Sequence, residues 1–288
     1  MLGNRIAGRR ATAWPAALVV VAATVQELGA AFAVGLFGAL GVTGTVFARF
    51  AVAGVVLCGF GRPRWRGLTA GAYRAIVALA LTLTAMNLCF YQALSRIPLG
   101  VAVTVEICGP LLLSVALRRR WLSWTWAVLA FAGVALLGLG PGHLRAPSAV
   151  GLAFAVGAAA SWAGYILVTA HVGTIFDNPD ALALATVIGG LLTAPFAMAS
   201  IDPDAALRWS VAELAITVGL MCSVIPYSLE LISLRSLPPS TFAVLTSLYP
   251  AIAAFSGWFV LHQRLGRSDY LAVALVTIAS IGAMRVRP

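Results

Sequence analysis

Charge is what this sequence has least of. Only 10% of its 288 residues are charged, and its nine acids are outnumbered by nineteen basic residues, all of them arginine. With 61% hydrophobic residues and a mean hydropathy of +0.98, so little charge excludes an ordinary soluble domain. The net charge of +10 does not point to nucleic acid, because the arginines sit in short breaks between apolar runs and at the chain ends rather than on one face. Cysteine is scarce too. Cys58, Cys89, Cys108 and Cys222 fall inside apolar runs without CxxC spacing, which argues against both a thiolate metal site and a disulfide framework. The three histidines form no H-E-x-x-H pair, and neither G-x-S-x-G nor G-x-x-x-x-G-K-[ST] occurs. No enzyme, cofactor or metal is expected, and without a nucleotide-binding motif any active transport must draw on a gradient.

What fills the chain is a series of ten apolar runs, each near the 17–25 residues that cross a bilayer core of about 30 Å. They cover 14–36, 42–60, 71–92, 98–117, 121–140, 148–170, 180–199, 211–233, 239–261 and 268–285. The pattern predicts an all-α polytopic membrane protein. No A-x-A-like cleavage site follows Arg5, Arg9 and Arg10, so the first span is expected to stay. With the N-terminus in the cytosol, thirteen arginines lie inside: these three, Arg62, Arg64, Arg66, Arg74, Arg118 to Arg120, Arg235, Arg285 and Arg287. Five lie outside: Arg96, Arg145, Arg208, Arg264 and Arg267. This bias obeys the positive-inside rule and puts both termini in the cytosol.

The halves are related. "ALSRIPLGVAVTVEICGP" (93–110) aligns without gaps on "SLRSLPPSTFAVLTSLYP" (233–250) at a shift of 140 residues, which pairs Pro98 with Pro238 and Pro110 with Pro250. Five spans per half is an odd number, so the halves must be inserted in opposite senses, as two inverted repeats. They are expected at 12–140 and 148–286, joined by the polar "GPGHLRAPS" (140–148).

Three acids fall within spans: Glu27, Glu106 and Glu230. An ionised acid at mid-helix costs about 3 kcal/mol on insertion scales. Protonating a glutamate with a pKa near 4.3 at neutral pH costs about 3.7 kcal/mol. The two nearly match, so a glutamate beside a partly wet cavity is poised to exchange a proton when hydration or ligand changes. Glu106 and Glu27 sit mid-span. Glu230, close to the cytosolic end, reads equally as a snorkelling partner of Arg235 or of Arg118 to Arg120. Glu27 has two readings, a pair with Arg49 or a coupling acid, whereas no basic residue in its own half matches Glu106 in depth.

Proline explains part of the same region. Pro110 has no N–H, so the carbonyl of Glu106, four residues earlier, loses its helical partner, and Gly109 permits close approach. Pro250 and Pro226 do the same to the carbonyls of Thr246 and Cys222. A packing kink or a shared central cavity fits each of these breaks. Gln26, Asn87, Tyr91, Trp162, Tyr165 and Tyr227 are candidates for the cavity lining, with an interface belt the competing reading for Tyr91. The 140-residue shift pairs Asn87 with Tyr227.

At "IPLGVAVTVEICGP" (97–110), "SWAGYIL" (161–167) and "IPYSLELISLRSLPPSTF" (225–242) the sequence resembles the drug/metabolite transporter superfamily, ten-helix proteins with two EamA repeats. Within it the chain looks like the threonine/homoserine exporters of the RhtA type, a likeness that "NLCFY" (87–91) and Gln26 share. The resemblance covers nearly the whole chain. It implies inner-membrane export of small neutral amino acids by proton antiport, through a cavity that takes in Glu106, Trp162, Tyr165, Tyr227 and Glu230. The implied partners are a small-molecule substrate, protons and lipid, with a second copy of the chain a further candidate. Three positions depart from the family pattern. Tyr249 precedes Pro250 where many members have Glu, His262-Gln263 replaces a frequent Gly-Glu, and Glu27 stands where related exporters often have a small residue. An acid in the first helix is also similar to the small multidrug transporters, which implies lipophilic cations as an alternative cargo. A passive facilitator is the other alternative.

Overall fold

The computed structural model describes residues 2–118, 121–139, 148–176, 179–234 and 245–285, and every regular element among them is helical. Spans one to three are α1 (Leu2–Ala33), α2 (Phe37–Gly61) and α3 (Ala70–Leu94). The fourth is broken into α4 (Leu99–Glu106) and α5 (Cys108–Arg118). α6 (Trp121–Leu139), α7 (Ala149–Val172) and α8 (Asp180–Met198) form spans five to seven. After the single turn α9 (Pro203–Ala206), the eighth runs through α10 (Trp209–Gly219), a π-turn at Leu220–Val224, and α11 (Ile225–Leu234). The described part of the ninth is chiefly α12 (Tyr249–Leu261), and α13 (Arg267–Arg285) is the tenth. The linker at 140–147 lies outside the described residues.

Local chemistry sets many of the ends. Thr69 and Ser148 cap α3 and α7, their hydroxyls accepting from the N–H groups of Ala72 and Gly151 at 3.2 and 3.3 Å. Pro98 cannot cap α4 with its side chain, and Gln263 does so instead, accepting from the Leu99 N–H at 3.0 Å. His262 ends α12 in the left-handed region, at φ +53°, where glycine is at ease.

The loop expected at 37–41 is tighter than the sequence suggests. A 3₁₀ turn at Val34–Leu36 runs straight into α2, and the chain bends at Gly41, whose φ is +67°. A Cβ there would lie 3.0 Å from that of Ser200, so glycine serves both the backbone angle and the contact.

The packing repeats the internal symmetry of the sequence. α3 lies along α7 as α1 lies along the π-turn and α11, and these two pairings exchange when the halves are swapped. Three further contacts are self-mated under the same swap: α2 with α8, α4 with α12, and α6 with α13. The two helix breaks obey it as well. The fourth span breaks at Ile107, and 140 residues further on the turn at 247–248 opens the helix before Pro250. Both breaks fall three residues or fewer before a proline, where the missing N–H prevents the ladder from closing.

Gly109 and Gly100 bring the broken span against its neighbours. A Cβ at Gly109 would fall on the carbonyl of Ala159 in α7, and one at Gly100 would approach the Ala254 Cα in α12 to 2.9 Å. Because the first obstacle is backbone and cannot rotate away, Gly109→Ala should push α5 off α7. We expect a loss of about 1–3 kcal/mol in stability, read as a lower unfolding temperature in detergent and a weaker transport signal. Unchanged stability would mean that α5 and α7 do not meet closely there.

Candidate functional site

Five elements converge halfway along the spans around a cavity of about 50 Å³. Gln26, Glu27 and Ala30 come from α1, Arg49 from α2, Met86, Asn87 and Phe90 from α3, Glu106 from the end of α4, and Cys222 from the π-turn. At about 10–15 Å³ of free space per molecule, the cavity has room for a few waters. The four residues Glu27, Glu106, Gln26 and Asn87, picked out from sequence, therefore line one space.

Arg49 occupies the centre. It is only 6% exposed, and its described hydrogen bonds reach two other elements. Nε donates to Ser223 Oγ at 2.9 Å, and one terminal nitrogen donates to Asn87 Oδ1 at 2.5 Å. The other donates to the carbonyl of Cys222 at 2.5 Å. That carbonyl is the one Pro226 deprives of a helical partner. The break has become a π-turn, with the Ile225 N–H reaching back to Leu220, and the guanidinium takes the exposed oxygen. Gly29 makes this possible on the α1 side, since a Cβ there would come within 2.6 Å of the Cys222 sulfur.

The acids are placed differently. Glu27 is 3% exposed, and its Oε2 has no hydrogen-bond partner among the described residues. Glu106 is half-buried at the helix break, facing the same cavity. Glu27 and Arg49, the expected pair, line the same cavity. An isolated ionised group would be costly here. Guanidinium is always charged, and both acids line the cavity with it.

Asn87 is held for this task. Its Nδ2 donates to the Leu83 carbonyl at 2.8 Å, which turns Oδ1 toward Arg49. Tyr91 is not at an interface belt. It is fully buried, edge-on to Phe37 and Phe90, its hydroxyl 3.8 Å from the Cys222 sulfur and its ring 5.8 Å from the Arg49 guanidinium. Trp162 and Tyr165 on α7 are half-buried and do not line the cavity, and Trp162 packs at 6.4 Å against Tyr249. The side chains of Tyr227 and Glu230 lie outside the described residues. A wider hollow of about 380 Å³, lined by Arg64, Thr69, Phe176 and Asp180 among others, includes neither Glu27 nor Glu106.

Arg49 is the site residue that sequence reasoning undervalued. The signal was available, because it is the one basic residue in the middle of any apolar run.

Ionisable groups gathered around a cavity at mid-span, between helices broken near proline, are what a membrane transporter requires. The EamA-like transporter family model matches residues 149–285. The threonine/homoserine exporters RhtA of Escherichia coli (strain K12) and Salmonella typhimurium (strain LT2) are each 34% identical to the chain over 278 residues. In both cases the match spans 96% of this chain and 93% of the relative. The uncharacterized transporter YwfM of Bacillus subtilis (strain 168) is 26% identical over 214 residues, 72% of each chain. A protein of known crystal structure, 18% identical, superimposes with a TM-score of 0.63 over 93% of this chain and 96% of its own, which supports the fold. The chain belongs to the EamA-like transporter family, and it is a multi-pass membrane transporter rather than an enzyme.

Proposed function

We propose that this protein exports threonine, homoserine or similar small amino acids across a cytoplasmic membrane in exchange for protons. The observation that carries this is the charge count of the cavity: Glu27 and Glu106 face it together with Arg49, one acid more than the guanidinium balances. In the empty state a proton serves as the missing cation. In the loaded state the substrate's ammonium group takes its place, and the proton leaves to the side from which the substrate came. A loaded cavity then carries a zwitterion on an unprotonated site, one net negative charge more than the empty one, and so needs to be wider and wetter than the closed one described here. Opening would proceed by rocking of the two repeats, 12–140 and 148–286, about the breaks near Pro110, Pro226 and Pro250. Both termini are placed in the cytosol by the arginine bias. The choice of cargo rests on the similarity to exporters named for threonine and homoserine.

Proteoliposomes test this. Vesicles acidic inside and alkaline outside should accumulate labelled threonine above its external concentration, and a protonophore should release it. Downhill flux indifferent to the pH gradient would make the protein a facilitator. Ethidium uptake lost on Glu27→Gln, without threonine movement, would assign the site to lipophilic cations.

A further inference from the structure

A short, stiff segment joins one face of the protein to the cavity. α4 has only eight residues, a length of about 12 Å at the usual helical rise. Leu99 to Val105 are all buried, and Glu106, its last residue, lines the cavity. The helix then breaks at Ile107, so α4 is free to tilt without carrying α5 with it. Its first turn is held from the other repeat. The Leu99 N–H, one of the donors that no helix satisfies for itself, donates to Gln263 Oε1 at 3.0 Å, and Gln263 lies in the turn between α12 and α13. That turn is fixed in its own right, with the Gln263 N–H donating to the Gly257 carbonyl at 3.1 Å. Two glycines make the fit possible. A Cβ at Gly257 would come within 2.7 Å of Gln263 Oε1, and one at Gly100 would press α4 off α12 at Ala254.

From this we infer that Gln263 latches the gate at the face away from the two termini, the outer one in the proposed orientation, and that through α4 it positions Glu106 in the closed cavity. Gln263 is not among the residues that line the cavity, so it acts as a positioning residue and not as a binding one. The inference rests on the proposed alternating access, and adds which contact parts when cargo leaves outward. The same face has a second tie between the repeats, from the Asp202 N–H to the Ala39 carbonyl at 3.0 Å, but both of its groups are backbone. The Leu99 bond depends on a side chain and so responds to substitution. Its strength suits a latch: one neutral hydrogen bond is worth about 1 kcal/mol net, enough to bias an equilibrium and little enough to part in every cycle. An amide also does not titrate, so the latch holds equally well whatever proton gradient the protein works against.

Two measurements on the full-length protein keep the latch apart from the gate. Hydrogen–deuterium exchange in detergent, read in the peptide covering 99–106, should quicken about 3- to 10-fold at the first turn in Gln263→Ala, the range that loss of one such bond gives. Gln263→Glu keeps an acceptor and should leave it no faster than wild type. Right-side-out and inverted membrane vesicles then give the KM for threonine at each face. Opening the outer gate raises affinity at that face and lowers it at the other, so in Gln263→Ala the outer-to-cytosolic KM ratio should fall about 3- to 10-fold. Gln263→Glu, a charged acceptor at a helix N-terminus, should move the ratio the opposite way. A purely structural role would lower the amount of active protein and leave the ratio where it was.

Unchanged amide exchange in Gln263→Ala would overturn the latch. Faster exchange with an unmoved KM ratio would overturn the gate and reduce Gln263 to a helix cap. If threonine is not carried, the choice of cargo fails by itself, and amide exchange together with the same ratio measured for ethidium still decides the role of Gln263.

Discussion

Glu106→Gln should stop proton-driven accumulation of threonine altogether, bringing the inside-to-outside ratio down to one, and Glu27→Gln should do the same. The reason is arithmetic rather than local geometry. In the proposed exchange the cavity holds two acids and one guanidinium, and one proton is shared between them. With either acid neutralised, Arg49 balances the other and no proton is left to trade for cargo. Exchange of labelled for unlabelled threonine requires no net proton movement, and it should survive in each single variant at a rate reduced by about 10-fold or more, for the loss of one contact to the ammonium group. The double variant Glu27→Gln/Glu106→Gln is different in kind. It strands Arg49 as an uncompensated buried charge and should lower the yield of folded protein, which neither single variant does. Uphill accumulation that persists in either single variant would refute the shared-proton scheme. Accumulation lost in one variant alone would assign the proton to that residue.

Much of this architecture could be read without coordinates, and what could not has a common cause. The ten-span helical pattern depends only on counting along the chain, and the helices follow it; Glu27 and Glu106, singled out by the same counting, line one cavity. The breaks before Pro110 and Pro250 depend on a missing N–H, a property of the chain itself, and they fall where expected. Partners supplied from across the fold were beyond that reach. Arg49 bonds to Ser223, which is 174 residues away, so nothing near position 49 announces a hydroxyl in a π-turn among its partners. Tyr91 failed for a related reason: measured from the end of its span it belongs near an interface. The tight turn at Gly41 and the 3₁₀ segment before it bring Phe37 over its ring, and the residue is buried. Trp162 packs against Tyr249, and neither it nor Tyr165 is among the residues that line the cavity.

Removing Arg49 should be the most damaging single change in the fold, and it should be partly repaired from a distance. Arg49→Met preserves much of the stem volume but abandons the Cys222 carbonyl, Ser223 Oγ and Asn87 Oδ1, and leaves two carboxylates facing each other across the cavity. Stranding one side of a buried polar cluster costs about 3–5 kcal/mol. That should show as loss of the monodisperse peak after mild heating in detergent. Part of this penalty comes from the Cys222 carbonyl, and Pro226 is why that oxygen needs Arg49 at all. Pro226→Ala restores an N–H four residues on, in a segment already helical on both sides, so the backbone can satisfy its own acceptor. The double variant Arg49→Met/Pro226→Ala should therefore recover about 1 kcal/mol of the loss, the net value of one such bond, and no transport, because the guanidinium is still missing. If Pro226→Ala instead worsened the Arg49→Met protein, the π-turn would be held by packing against Gly29 and Val52 rather than by the arginine. Its coupling to the cavity would then have to run through α1, where Gly29 meets the Cys222 sulfur.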